Sequence, residues 1–431
     1  MLTNVATALF GLADMWVIGR LGDAAAQGAV ELGAKFMMGL LIAFNFLRTG
    51  TIALTAQSAG SGDADERATT LARGVAVAVA IGALLMLLRP VIVSVGLDLL
   101  EARDDVATDA RTYIDIRYWA ATAWLINCVL VGWLIGQRRV RIVLVIEIIA
   151  NVVHIALDLA LVLLLGWGVA GVAVATVSSE LLKLASVAAI VAADPAARQA
   201  AGRIADAATW RFDALKRLFA LNRDLFLRTL LLTGAMLILA RGGAQQGPVI
   251  LAANGILFQL FMLSTLVLDG FESAAQVLCG EAKGAQDRAR FHSALRANLV
   301  WGWLTGAAIC LAYLVVGGRF AMSFSTDPAV AQTAQAYAGW IVLLPLLGVT
   351  SFVLDGVFVG AAWTRAMLAT MAVAFAVYIA LLAIAAPLGN HGLWLSFSVF
   401  FVIRAAGQLA FMPRLIRRDF SGNAPSPPRP R

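Results

Sequence analysis

The sequence predicts an all-α polytopic membrane protein with twelve transmembrane helices arranged as two pseudo-symmetric six-helix lobes. Three observations lead there. Of the 431 residues, 61% are hydrophobic and only 14% charged, where an ordinary soluble domain carries roughly 45–50% apolar and about 25% charged residues. Apolar runs follow one another with short polar loops between them, and at about 20 apolar residues per span plus a loop the chain has room for roughly twelve. Small-residue motifs of the first half return in the second at a nearly constant offset. No polar stretch is long enough for a separate soluble domain, which excludes a single-pass receptor and a soluble enzyme on one anchor.

In order, the apolar runs fall near residues 2–20, 28–58, 72–97, 112–136, 142–166 and 169–193, then 221–241, 248–279, 295–317, 333–361, 366–387 and 391–413. The longest polar interval, 194–220, divides them into an N-lobe (1–193) and a C-lobe (221–416) and is the expected cytoplasmic linker. The Pro-rich end, 417–431, has the composition of a disordered tail. Ala56-Gln57-Ser58-Ala59-Gly60 with Asp63 reappears as Gly280-Glu281-Ala282-Lys283-Gly284 with Asp287, an offset of 224. Gly132 and Gly136 match Gly356 and Gly360, again at 224, and Gly168 and Gly171 match Gly389 and Gly392 at 221. A duplicated six-helix unit explains the constancy. Because six is even, the lobes begin on the same side of the membrane as parallel repeats, a plan that sets a substrate cavity between them.

The net charge of +7 could suggest nucleic acid, so the placement of the basic residues decides its meaning. Loops after even-numbered spans, with the tail, hold twenty of them, including Arg67, Arg138, Arg139, Arg141, Arg217, Arg288, Arg365 and Arg417. The opposite loops hold about five, Arg20, Arg103, Arg111, Arg241 and Arg319, beside the acidic Glu101, Asp104, Asp105 and Asp109. By the positive-inside rule both termini are cytoplasmic, and the surplus reports topology rather than a nucleic-acid partner. Cys128, Cys279 and Cys310 are odd in number and lack metal-ligand spacing, so they read as packing residues. With three histidines and no HExxH or CxxC, zinc chemistry has no support and no cofactor is expected.

Ionisable side chains at membrane depth cost several kcal/mol unless they face a cavity or a partner, which makes them the strongest functional pointers. Asp14 lies within the first run with no basic residue a helical turn away. Asn151, His154 and Asp158 are three and four residues apart and share one helix face. That face must turn inward, toward Asp14 or the Thr176 hydroxyl, where the set can bind a proton or coordinate a small cation through oxygen. The alternative is a polar network that only fixes helix packing. Glu180 and Lys183, three apart, suggest an internal ion pair. In the second half, Asp269 and Glu272 share a face and Asp355 lies on a later span, with Arg48, Arg228 and Arg404 as candidate partners; coupling, substrate contact and structural pairing all remain open for them. Met37, Met38, Phe258, Phe261 and Met262 are candidates to line an apolar cavity, against the more frequent use of such stripes in packing.

Three segments carry a family resemblance: Leu12-Ala13-Asp14-Met15-Trp16-Val17-Ile18-Gly19-Arg20-Leu21-Gly22, Leu54-Thr55-Ala56-Gln57, and Ile155-Ala156-Leu157-Asp158 followed by Gly166 through Thr176. They resemble multidrug and toxic compound extrusion (MATE) transporters, most closely the DinF-like branch, over nearly the whole chain. The resemblance implies a V of two six-helix lobes in a bacterial inner membrane. It also implies a monomer that exports organic, often cationic, compounds against inward flow of protons or sodium ions. Asp14 matches the family's main coupling carboxylate, and Asp158 and Thr176 match further members of the N-lobe cation site, so a sodium ion would sit at Asp14, Asp158 and Thr176. His154 stands where the family usually has asparagine; imidazole in place of an amide oxygen weakens sodium and adds a second titrating group, with Asn151 one turn away as a substitute. The resemblance further implies more chain ahead of the first-helix motif than Met1 leaves, so a shortened or misassigned start is expected.

Two rivals make different demands. A lipid-linked precursor flippase of the same superfamily needs a strongly cationic cavity for pyrophosphate, which the few intramembrane arginines do not supply. An intramembrane enzyme acting on isoprenoid lipids needs an aspartate-rich metal site, and Asp104 with Asp105 falls on the outward side. A channel finds no repeated selectivity filter.

Overall fold

The computed structural model describes residues 14–20, 23–99, 104–323, 325 and 327–420, and every described element is helical. Most of the first expected span, residues 2–20, lies outside the described residues; 14–19 are helical. The elements that follow are α1 (Ala24–Ile42), α2 (Phe46–Ser61), α3 (Ala64–Leu99), α4 (Asp104–Tyr118), α5 (Ala121–Gly136), α6 (Val140–Asp158), α7 (Gly168–Ala192) and α8 (Pro195–Ala205). Then come α9 (Phe212–Gln245), α10 (Pro248–Gly284), α11 (Arg288–Ala312), α12 (Gly318–Met322), α13 (Pro328–Gly360), α14 (Thr364–Ile384) and α15 (Asn390–Asp419). Among the described residues ten helical runs are long and apolar enough to cross a membrane, and Val106–Tyr118 with Ala121–Gly136, bent by 47° to one another, make eleven if the pair is one span. The chain is an all-helical, multi-pass membrane protein.

Local chemistry explains the boundaries. Asp23, Asp194, Asp287 and Asp327 cap α1, α8, α11 and α13 by accepting from backbone N–H groups of the first turn, and Asp63 accepts from Glu66 N at 2.8 Å at the start of α3. Several expected edges differ from what forms. The run 28–58 is broken by a turn at 43–45, and the run 112–136 extends back to Asp104 with its bend at Trp119 and Ala120. The interval 194–220 carries α8 and the start of α9, because Asp194 caps a turn that begins with Pro195. α15 continues to Asp419, beyond the expected lobe end at 416, and the proline-rich end, 421–431, lies outside the described residues.

The chain divides into two compact units, one built on Leu218–Arg431 together with Ala56–Gly62, the other on Leu2–Thr55 with Asp63–Arg217. In the N-terminal unit α1 packs on α4, α3 on α5 and α8, and α7 on α4, α5 and α6. In the C-terminal unit α10 and α13 form the closest pair, with α11 and α15 against α13. Its core is aromatic: Phe397 meets Phe261 and Phe401 edge to face, with centroids 5.6 and 5.3 Å apart, a geometry that suits opposed ring quadrupoles.

The repeat reappears as backbone contacts. A Cβ on Gly132 of α5 would lie 2.7 Å from the Arg48 carbonyl oxygen of α2, and one on Gly356 of α13 would lie 2.0 Å from that of Glu272 on α10. Both residues of each pair stand 224 positions apart. Gly60 and Gly284 carry the relation further, since each would drive a Cβ to 1.9 Å from the carbonyl oxygen of the other copy's residue, Glu281 for Gly60 and Gln57 for Gly284. Where lipid removes most of the hydrophobic drive between helices, such close approach supplies dispersion contact in its place.

Candidate functional site

α6 buries Val143, Ile146, Glu147, Ala150, Asn151, His154 and Asp158, a stripe at helical period, while Ile148 and Val152 on the opposite face are exposed. Immediately after Asp158 the helix widens into a π-helical turn, Leu159–Leu164, a feature that often accompanies functional positions. The stripe meets Asp14, itself buried. His154 Nε2 lies 2.6 Å from Asp14 Oδ1 and 3.1 Å from Asp158 Oδ2, and one donor atom from each of the three residues falls within 4.8 Å of the others.

This geometry fixes proton bookkeeping. A bare imidazole lone pair cannot face two carboxylates, so either Nε2 carries hydrogen or one carboxyl group does. On the other side of the ring, Ser179 Oγ is 3.5 Å from Nδ1 and donates to the Thr176 carbonyl at 2.8 Å, which leaves the hydroxyl oxygen to accept from Nδ1–H. Assigned from this network, Nδ1 carries one hydrogen, and a further exchangeable proton is shared among Nε2 and the two carboxyl groups that face it. Asp158 is fully buried, and its Oδ1 accepts from no donor among the described residues.

The expected set therefore comes together in part. Asp14, His154 and Asp158 are in direct contact, and Asn151 is buried one turn away on the same face. Thr176 connects only through Ser179, its own hydroxyl donating to Val172 O at 2.9 Å. Glu180 and Lys183 do not pair as expected: Lys183 Nζ reaches Glu147 at 2.7 Å, while Glu180 accepts from Asn127 Nδ2 at 3.3 Å, because the three-residue step on α7 points the ammonium at α6 and the carboxylate at α5. Ser179 was not singled out from sequence, although it falls on the Thr176 face at i+3. Neither was the α4 pair Tyr113 and Arg117, joined at 3.0 Å and within electrostatic reach of Asp14.

In the C-terminal unit, Asp355 is fully buried and accepts from Arg228, Arg404 and, at 2.6 Å, Gln408 Nε2. Glu272 lies 3.9 Å from Arg228, and Asp269 is within electrostatic reach of the same guanidinium. Asp355 is thus locked by two cations, whereas Asp269 and Glu272 share one. Arg48 belongs to the other unit, near Lys183. Phe261 is core with Phe258 and Met262 packed against it, while in the other unit Met37 is buried and Met38 is 64% exposed.

A chain of membrane-crossing helices that buries two carboxylates against an imidazole in one unit and a guanidinium cluster in the other has the anatomy of a solute carrier. The MatE family model matches residues 1–160 and 225–384, two stretches that begin 224 residues apart. DNA damage-inducible protein F of Escherichia coli (strain K12) is 35% identical over 415 residues, covering 96% of this chain and 89% of that one. The probable multidrug resistance protein NorM of Agrobacterium fabrum is 26% identical across 80% of this chain and 74% of its own. A crystal structure of a MATE protein in the bent conformation superposes with a TM-score of 0.85 at 17% identity, covering 98% of this chain and 94% of that one. The chain belongs to the MatE family of transporters, with DinF-like and multidrug-efflux relatives, and is not an enzyme.

Proposed function

We propose that this protein is a cation-coupled antiporter that exports organic, often cationic, compounds, and that protons rather than sodium ions drive it. The observation that carries the reading is the placement of His154 Nε2 against both Asp14 and Asp158. A sodium ion needs a shell of oxygen donors, and here a nitrogen fills the space between the two carboxylates. A proton fits the same space without rearrangement, moving among Oδ1 of Asp14, Nε2 of His154 and the carboxylate of Asp158. A proton and an organic cation each compensate the same buried negative charge, so the two ligands compete through one conformational equilibrium. The relatives' names support the cargo class. The bacterial relatives support a bacterial inner membrane, the distribution of arginine supports cytoplasmic termini, and a single chain carrying both repeats suits a monomer.

The test is efflux of a dye panel from proteoliposomes under an imposed pH gradient or an imposed sodium gradient. Wild type responds to the pH gradient. Asp14→Asn abolishes that response while the protein remains folded by circular dichroism, and normal coupled efflux in the variant would refute the role.

A further inference from the structure

We propose that a groove between α6 and α7 is a binding site for an anionic phospholipid. The groove, with a volume of about 440 Å³, is lined by residues that include Arg141, Val145, Ile149, Leu182, Lys183 and Ser186, within the roughly 300–1,000 Å³ typical of ligand sites. It lies on the flank of α6, where Val145 and Ile149, 54% and 51% exposed, border Ile146 and Ala150 at the edge of the buried stripe. On a membrane-spanning helix, exposed aliphatic side chains are solvated by acyl chains.

The charge in the groove is uneven. Lys183 is neutralised by Glu147 at 2.7 Å, at the deep end. Arg141, the second residue of α6, is exposed and has no hydrogen bond or ion pair with any described residue. Nearby Arg139 is held by Asp194 at 3.0 Å, so the uncompensated cation at the mouth is Arg141. From Arg141 to Ala150 the helix rises about 14 Å, and the wall between them is aliphatic except for the Ser186 hydroxyl. A cationic mouth, a hydroxyl part of the way in and an aliphatic floor match the polarity of a phosphodiester headgroup, an ester carbonyl and an acyl chain. Basic pockets between spanning helices at the cytoplasmic end hold acidic headgroups by this arrangement. A zwitterionic lipid would bring its own cation toward Arg141 and lose part of the attraction.

The site stands apart from the ion-coupling residues and can be tested without transport. Wild-type protein in nanodiscs with equal phosphatidylglycerol and phosphatidylcholine is released and weighed by native mass spectrometry. It retains phosphatidylglycerol in preference to phosphatidylcholine. Arg141→Gln lowers that preference about fivefold, the worth of one interfacial basic side chain. Ile149→Trp fills the floor and removes the retained lipid of either kind, with far-UV circular dichroism and melting temperature unchanged in both variants. Equal retention of phosphatidylglycerol by wild type and both variants would overturn the assignment. So would a wild type that holds no lipid.

Discussion

His154 faces two carboxylates with one nitrogen, and the consequence of removing that nitrogen differs from that of removing either carboxylate. His154→Asn replaces a titrating donor with an amide oxygen, so the variant should lose response to the pH gradient and gain response to sodium; efflux measured under each gradient separately checks this, and an unchanged cation profile would remove His154 from the site. Asp355 shows the opposite use of a buried carboxylate. It lies between Arg228 and Arg404, and Arg404 is also stacked near Phe352, Phe400 and Phe401. Asp355→Leu would leave two guanidinium groups facing each other out of water, at a cost of about 3–5 kcal/mol, seen as a lowered melting temperature in detergent. Asp14 and the α6 stripe were legible in the sequence because an ionisable group in an apolar run is conspicuous and its three-and-four spacing identifies a face. Ser179, Tyr113 and Arg117 were not, since hydroxyl, phenol and loop-proximal arginine are common at such positions and only packing brings them to Asp14 and His154.

At the level of helices, the glycine crossings set the spacing. Gly356 of α13 leaves room for the Glu272 carbonyl of α10, and the same helix carries Asp355 one residue earlier. Gly356→Val would force α10 and α13 apart, with an overpacking cost of about 1–3 kcal/mol and a displaced Asp355. The matching Gly132→Val should damage the N-terminal unit in the same way; equal melting temperatures for both variants and wild type would exclude these contacts as determinants of packing. Runs of hydrophobicity marked nearly all of the described helices, because a bilayer demands about 20 apolar residues in a row. They could not mark the turn at 43–45, the 47° bend before Ala121 or the helix within 194–220. The first two carry no glycine or proline to announce them, and the polar residues there, Asn45 at the turn and Arg117 before the bend, are too few to interrupt an apolar run; the third depends on a cap at Asp194 and packing against α3.

Across the whole chain, the distribution of charge and the repeat give two independent readings of topology. If both ends of the chain and the loops containing Arg138 and Arg288 face the cytoplasm, single cysteines placed at Arg138 and Arg288, in a background lacking Cys128, Cys279 and Cys310, will resist a membrane-impermeant thiol reagent in intact cells and react in inverted vesicles. A cysteine at Arg111 will do the reverse. Labelling of all three from one side would break the positive-inside reading and the even-numbered repeat together.

The paired carbonyls of Arg48 and Glu272 occupy the same place in the two copies of one ancestral plan, yet the side chains they belong to carry opposite signs. Ancestry has kept the joinery and let the electrical character drift. The halves are consequently not interchangeable parts: a chain assembled from two first halves would inherit sound crossings but would carry Asn4, Arg48 and Val131 where the natural protein has Arg228, Glu272 and Asp355, and so would lack the whole charge cluster of the second half.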